Sequence, residues 1–426
     1  MREITPVATI DAALAVPGSK SLTQRALIAA ALADGTSILQ GPLASEDTDY
    51  SSQALSQLGI AIDRGEEWRV AGRGGVVRAA EQPIYLGNNG TATRFLTSVA
   101  ALGDTPCSVD GDARMRQRPI GPLLAALRGW GVDIVATAGT GCPPLLINAA
   151  GIEGGETVLP EGKSSQYLSS LLLVAPYARQ AATLRVEGEV LSKPYVAMTL
   201  SVMAAFGIEA DCRADFSYFR IPQGCYRART YAIEGDASNA SYFWAAAAVT
   251  GGRVTVTNVP VPSLQGDAML LPLLGRMGCE LSGVGGGAIT LQGGRQLEGI
   301  RVDMGDMPDV VPTLAVVAAF AHGETVIENI AHLRIKECDR LSAVVTELRR
   351  LGAEVEERES AMVIHGDGGA RLHGALVETY DDHRMAMSMA VAGLRVPGVR
   401  IAGDGCVAKS FPDFWERFAL LAGKKT

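Results

Sequence analysis

The chain has no Cys-x-x-Cys pair. Its seven cysteines, Cys107, Cys142, Cys212, Cys225, Cys279, Cys338 and Cys406, are odd in number and scattered, as are its five histidines. That argues against structural zinc and a disulfide framework, and for reduced thiols in a cytoplasmic setting. No apolar run approaches the roughly 20 residues that span a bilayer; Phe243 to Val249 and Val310 to Ala321 fall well short. The start, Met-Arg-Glu-Ile-Thr-Pro, lacks the apolar stretch of a secretory signal. Positive charge is short as well. A net charge of −8 argues against a general binder of nucleic acid or membrane surfaces. Glycine-rich phosphate loops are missing too. Gly-Val-Gly-Gly-Gly at 283–287 matches neither the dinucleotide nor the Walker pattern and reads as a hairpin turn.

What is present is a globular composition, 47% hydrophobic and 20% charged over 426 residues. That length predicts two domains of about 200 residues each. A segment of form apolar-x-x-apolar-Gly-apolar-x-apolar recurs at Leu55 to Ile62, Leu127 to Ile134, Met203 to Ala210, Leu274 to Leu281 and Leu348 to Val355. Each reads as a last helical turn, a glycine C-cap, then a strand. The glycines, Gly59, Gly131, Gly207, Gly278 and Gly352, stand 71 to 76 residues apart. That period is too long for a solenoid and suits one βαβ-rich unit. Six such units account for nearly the whole chain. Breaks near Val16 and Ile233 give one domain over 17–233 and a second over 1–16 plus 234–426.

Each unit also holds an inner helix of small apolar residues, and its start recurs in step. The starts are Ser19-Lys20-Ser21, Asn89-Gly90-Thr91, Ser164-Ser165-Gln166, Asp236-Ala237-Ser238, Pro308-Asp309 and Asp381-Asp382-His383-Arg384. The first helix follows Pro17-Gly18, with Ser19 as N-cap and helix clear over Ala26 through Ala33. Lys20, Ser21 and Arg25 are placed in or beside its first turn. Cations are disfavoured there, so an anion held between them and the unpaired N–H groups would account for them. If the units pack alike, the starts share one end of each domain, and two such ends facing each other would form an anion-trapping cleft.

The chemistry differs between halves. The first is basic or neutral: Lys20, Arg25, Asn88, Asn89, Gly90, Arg94, Ser164, Ser165 and Gln166, joined by Arg114, Arg116 and Arg118 and by Ser192-Lys193-Pro194-Tyr195. Gly90 lets a ligand approach the backbone. The second is acidic, with Asp236, Asp309, Asp381 and Asp382, accompanied by Lys336, Glu337, Asp339, Arg340, Arg384 and Lys409. Carboxylates among cations suit proton transfer to and from a phosphorylated substrate. Plainer readings stay open: Arg116 and Arg118 as solvated or salt-bridged, Asp236 and Asp381 as ordinary caps, Glu337–Arg340 as a helix ion pair.

Pro17-Gly-Ser-Lys-Ser with Arg25, Leu86-Gly-Asn-Asn-Gly-Thr-Ala-Thr-Arg, Arg114-Met-Arg-Gln-Arg-Pro, Ser164-Ser-Gln, Ser192-Lys-Pro-Tyr, Pro308-Asp309, Arg334-Ile-Lys-Glu-Cys-Asp-Arg, Asp382-His-Arg-Met-Ala-Met and Ala408-Lys-Ser-Phe-Pro occur in the order found in the 5-enolpyruvylshikimate-3-phosphate synthases. The chain resembles that family throughout. The resemblance implies an α/β fold of two similar domains, each of three βαβαββ units, an inverse α/β barrel-like arrangement with a ligand cleft between them. It implies transfer of the enolpyruvyl group of phosphoenolpyruvate to the 5-hydroxyl of shikimate 3-phosphate. No metal or organic cofactor, no nucleic acid and no membrane is implied, and a cytoplasmic monomer is expected.

By matched positions, Lys20, Ser21, Arg25, Ser164, Ser165, Gln166, Ser192, Tyr195, Asp309 and Lys336 would hold shikimate 3-phosphate. Lys20, Gly90, Arg114, Gln166, Arg340, Arg384 and Lys409 would hold phosphoenolpyruvate. Asp309 would be the base for the hydroxyl, with Glu337 and Lys20 rivals for proton transfer at C3. Phe95 stands where the family usually has Pro, and Asn89 where Ala is common, in the turn tied to the family's inhibitor glyphosate. His332 replaces an Asn that contacts ligand in many members, and Lys163 is an added cation. The sister family, UDP-N-acetylglucosamine enolpyruvyl transferase, usually carries a reactive Cys in the loop matching Gly111 to Pro119. Here that loop has Arg114 and no Cys. A non-catalytic anion-binding relative would lack part of the acid and cation set, and none of it is missing.

Overall fold

The repeating glycines do what a helix C-terminus asks of them. Gly59, Gly131, Gly207, Gly278 and Gly352 all have φ between +83° and +107°, a region open to glycine at little cost. The structure, a computed structural model, describes residues 1–78, 80–162, 164–283 and 287–422. Lys163 lies outside the described residues. So do 284–286 of the expected hairpin turn, although its flanks Glu280–Ser282 and Ile289–Gln292 pair antiparallel.

The second repeat shows the plan in full. Strand Ile84–Tyr85, helix Gly90–Ala100, strand Pro106–Asp110, helix Gly121–Gly129 and strands Asp133–Ala136 and Leu145–Asn148 follow in order. The first two strands are parallel, as a helical crossover requires, and the last two form a hairpin whose final strand returns beside the second. Two other sheets share that order entirely within their own repeats. Two borrow a first strand from far along the chain. Thr230–Ala232 pairs with Asp34–Gln40, and Asp11–Leu14 with Arg253–Val256, both in parallel. The last sheet is reduced to Leu376–Val377 beside Arg400–Ile401, edged by antiparallel Arg2–Glu3.

The strand exchange goes with two compact units, Gly18–Ile233 and Met1–Pro17 with Glu234–Thr426. Pro17 therefore groups with the second unit, one residue from the expected break. Its carbonyl accepts from Asp236 N at 2.8 Å, and Asn258 brackets the backbone of Val16. Gly18 presses on the first unit so closely that a Cβ would stand 2.0 Å from Gly41 O.

In each unit the three inner helices pack on one another. In Gly18–Ile233 they are Lys20–Leu32, Gly90–Ala100 and Ser165–Val174; in the other unit, Ala237–Thr250, Val311–Ala319 and His383–Gly393. All of Ala237–Thr250, Val311–Ala319 and His383–Gly393 is buried. Small residues let the helices approach, and hydroxyls satisfy one another between them. Ser241, Thr313 and Ser388 form a chain at 3.1 and 3.2 Å, and Ser98 meets Ser170 at 2.6 Å.

Ser19 is the N-cap, as expected: its Oγ accepts from Leu22 N and the first helix begins at Lys20. Arg25 is thus carried into the second turn and buried. Asp382, not Asp381, caps the last inner helix by accepting from Arg384 N at 2.9 Å, while Asp381 occupies the left-handed region at φ +54°. Among the described residues no helix is long and apolar enough to cross a membrane. All seven cysteines are free thiols.

Candidate active site

In the Gly18–Ile233 unit the helix starts are tied by side chains. Gln166 Nε2 donates to Thr91 Oγ1 at 3.1 Å, joining the third start to the second. Gln24 Nε2 reaches Asn89 Oδ1 at 3.4 Å, joining the first to the second. Asn89 caps its helix through Ala92 N and donates to Asp47 O at 2.7 Å. Asp47, in the first turn of the surface helix Glu46–Gln57, pairs with Lys20 Nζ at 3.0 Å.

Arg25 lies at the centre of this unit's polar cluster, 2% exposed. It donates to Thr199 Oγ1 at 2.7 Å, to Ser21 O at 2.9 Å, to Ser169 Oγ at 3.1 Å and to Tyr195 O at 3.2 Å. These partners are neutral oxygens, so burial pushes the guanidinium down to about 10. Its plane also faces Phe95 and Tyr195, at 5.4 and 5.8 Å. Ser192 sits at φ +57° immediately before helix Lys193–Ala205, and its carbonyl accepts from Tyr195 N. Arg25, Ser21, Ser192 and Tyr195 are thus brought together. Ser164 and Ser165 open the third inner helix, where Ser164 makes no side-chain cap.

Gly90 is enclosed by an arginine. A Cβ there would stand 2.5 Å from Arg118 Nη2. Of the plainer readings of Arg118, solvation is excluded: it is 3% exposed and donates to Asn88 Oδ1 at 3.0 Å. The reason is the turn Met115–Gln117, which folds its side chain back onto the second helix start. Arg116 faces outward to Asp110 at 2.5 Å, as expected. Arg114, half-buried, begins the turn. Arg94, also buried, donates to Gly90 O at 3.2 Å and Pro119 O at 2.7 Å, and burial lowers it to about 10.

The other unit concentrates charge. Arg340, 1% exposed, touches three carboxylates: Asp309 at 3.1 Å, Glu337 at 2.7 Å and Asp382 at 2.8 Å. Arg384 meets Asp309 from the other side at 2.6 Å. The Glu337 contact is therefore one arm of a buried network rather than a helix pair. Asp339 caps helix Arg340–Arg350. Burial works to raise the Asp309 carboxyl, but Arg384, Arg340 and Lys336 together hold it far below the usual carboxylate range. Asp309 lies in the short helical turn Pro308–Val310, where Arg340 and Arg384 hold its carboxylate.

Lys336 ends the turn Ala331–Ile335, and Lys409, 8% exposed, ends the turn Asp404–Lys409. His332, 5% exposed, has no hydrogen-bond partner on either ring nitrogen. Burial, with Lys336 and Arg340 adding repulsion, pushes its imidazole down to about 3. Asp236 caps its helix, accepting from Asn239 N at 2.8 Å.

Asp47, Arg118 and Asp382 belong to these networks and were not singled out as site residues from sequence. Arg118 and Asp382 had motif neighbours that could have flagged them. Asp47, on a surface helix, had none. Among the described residues no group of three or more His, Cys, Asp or Glu is placed to hold a metal ion.

A family model described as EPSP synthase (3-phosphoshikimate 1-carboxyvinyltransferase) matches residues 4–418. A 3-phosphoshikimate 1-carboxyvinyltransferase of Trichormus variabilis is 45% identical over 419 residues, covering 97% of each chain. One from Syntrophobacter fumaroxidans is 43% identical over 429 residues, covering 99% of each. A solved EPSP synthase of Acinetobacter baumannii superimposes with a TM-score of 0.82 at 29% identity, covering 98% of this chain and 97% of that one.

Proposed function

From the premise that this chain belongs to the EPSP synthase family, we propose how its residues divide the work of that enzyme. The reaction moves the enolpyruvyl group of phosphoenolpyruvate to the 5-hydroxyl of shikimate 3-phosphate and releases phosphate, within the shikimate pathway to aromatic amino acids. The two substrates bring roughly four to six negative charges, which accounts for buried cations in an acidic protein.

Shikimate 3-phosphate is held by Lys20, Ser21, Arg25, Ser164, Ser165, Gln166, Ser192, Tyr195 and Lys336. Arg25 supports this reading, being a buried guanidinium whose hydrogen bonds go to neutral oxygens. Phosphoenolpyruvate is held by Lys20, Gly90, Arg114, Gln166, Arg340, Arg384 and Lys409. Asp309 takes the proton of the 5-hydroxyl as that oxygen attacks C2, and C3 gains a proton from Glu337 or Lys20. The tetrahedral ketal phosphate then loses a methyl proton as the C2–O bond to phosphate breaks.

The observation that carries this is the Asp309 carboxylate gripped between Arg340 and Arg384. In that grip it is a weak base. Substrate anions that engage the arginines compensate their charge, so the proton affinity of Asp309 rises when the substrates arrive. The base is thus strengthened by the substrates it serves. The protein acts as a monomer in the cytoplasm.

The test is phosphate release from phosphoenolpyruvate with each acceptor. Release is expected with shikimate 3-phosphate and not with UDP-N-acetylglucosamine; equal turnover would overturn the assignment. Asp309→Ala should lose about a hundredfold or more in kcat while retaining shikimate 3-phosphate. A variant that only melts earlier would reduce Asp309 to a structural role.

A further inference from the structure

The proposed chemistry leaves one fully buried carboxylate unused. Glu347, 0% exposed, lies in helix Arg340–Arg350. Tyr380 Oη donates to its Oε1 at 2.8 Å, and Glu378 N donates to its Oε2 at 3.1 Å, beside Arg350 Nη1 at 3.2 Å. Two of these three donors lie in one short segment, which runs directly into Asp382. There Asp382 N donates to Thr379 O at 2.9 Å and closes a turn. Both central residues of the turn, Tyr380 and Asp381, stand in the left-handed region, at φ +55° and +54°. A tyrosine enters that region only under constraint, so the turn needs something to hold it. At the far end Asp382, also fully buried, accepts from Arg340 Nε at 2.8 Å and Nη2 at 3.3 Å, and from Arg384 N at 2.9 Å.

We propose that Glu347, acting with Tyr380, is a positioning residue for Arg340: it clamps the strained turn that carries Asp382, and Asp382 in turn aims the guanidinium. This rests on the phosphoenolpyruvate-binding roles given above to Arg340 and Arg384. Arg340 and Glu347 are seven positions apart, about two helical turns, so they share a face of their helix. That face grips the segment at both ends, Glu347 at Glu378 and Tyr380, Arg340 at Asp382. With Asp382 fixed, the paired Nε and Nη2 contacts set the plane of Arg340 and direct it to Asp309 at 3.1 Å and Glu337 at 2.7 Å. The same carboxylate caps the helix on which Arg384 stands. Stability alone is a poor reason for Glu347, because its charged partner Arg350 is 40% exposed and a buried charge is costly to desolvate. Burial, with the hydrogen bond to Glu347, pushes the Tyr380 phenol up to about 12, so it stays a donor at neutral pH.

The experiment compares wild type with Tyr380→Phe, which removes only the hydroxyl of a half-exposed ring, and with Glu347→Gln. In Tyr380→Phe, KM for phosphoenolpyruvate should rise by about threefold to tenfold, while KM for shikimate 3-phosphate stays within about twofold. An unchanged KM for phosphoenolpyruvate overturns the proposal, and so does an equal rise for both substrates, which is what general loosening would give. Glu347→Gln can turn its amide to accept from Glu378 N and donate to Tyr380 Oη, so it should keep KM for phosphoenolpyruvate within about twofold of wild type. A rise as large as in Tyr380→Phe would make charge rather than the clamp the cause, and overturns the proposal. Should Glu347→Gln fail to fold, Tyr380→Phe decides. Hydrogen exchange supplies a readout independent of turnover. The amides of residues 378–384 should exchange faster in Tyr380→Phe than in wild type, with the rest of the chain unchanged. Equal exchange there would show that Glu347 and Tyr380 do not hold the turn. If wild type releases no phosphate with shikimate 3-phosphate, the functional assignment fails, and exchange decides the clamp alone.

Discussion

A single buried guanidinium in contact with three carboxylates, as Arg340 is with Asp309, Glu337 and Asp382, gives little net stability, because desolvating four charges offsets much of their attraction. Such a network fits the anion-binding role proposed for Arg340 better than a stabilising one. His332 is the opposite case, a buried side chain that stays neutral. Its folded pKa of about 3 lies below the ordinary 6.5. The unfolded chain therefore binds the extra proton between those values, and stability is lost as pH falls below 6.5. The loss approaches about 1.4 kcal/mol per pH unit from this one group. His332→Asn should accordingly lose less stability than wild type between about pH 7 and about pH 5 in denaturant titrations. Parallel losses would mean that the ring takes up its proton inside the fold. Lys20, Asp309 and Arg384 were legible as candidates because they stand at helix starts in recognisable motifs. Asp47 and Arg118 were not, because their significance comes from partners in other segments, and burial of a charge is a tertiary property.

Elements were legible where the period was long and the punctuation sharp. The five C-cap glycines marked helix ends, and the small-residue inner helices could be read as buried all round. Strands of two residues, such as Arg2–Glu3 and Leu376–Val377, leave no periodic signal. The cap of the first helix, Ser19, was legible, whereas the burial of the polar residues Thr23, Gln24 and Arg25 that follow it was not. The cap glycines can be tested apart from chemistry. At Gly278, φ is +107° and a Cβ would lie 2.8 Å from Gln296 O. Gly278→Ala should therefore destabilise the protein by on the order of 1–3 kcal/mol. Its KM values should stay at wild-type levels, since the residue is far in sequence from every assigned ligand. A fully stable variant would show that the backbone relaxes there at no cost, and the glycine signature would then be incidental to the repeat.

At the scale of the whole molecule, chain order conceals which strands belong together. Asp11–Leu14 pairs with Arg253–Val256, some 240 residues later, and nothing in either strand's own sequence names its partner. Charge poses a related puzzle, because a protein of net charge −8 binds two polyanions. The average field repels them, so capture is assigned, in the proposal above, to local cations: Lys20, Arg25, Arg114, Lys336, Arg340, Arg384 and Lys409. Salt separates the two contributions. The Debye length falls from about 10 Å at 0.1 M to about 3 Å at 1 M, so added salt screens long-range repulsion first and close pairs only later. If the local cations dominate, KM for both substrates should rise with sodium chloride, by on the order of tenfold from about 0.05 to about 0.5 M. The value of kcat should move far less, since a bound anion sits inside the screening length. Asp47, Asp309, Glu337 and Asp382 already neutralise part of this cation set. A KM that stays flat or falls with salt would mean that these carboxylates cancel the local field, leaving recognition to short hydrogen bonds alone.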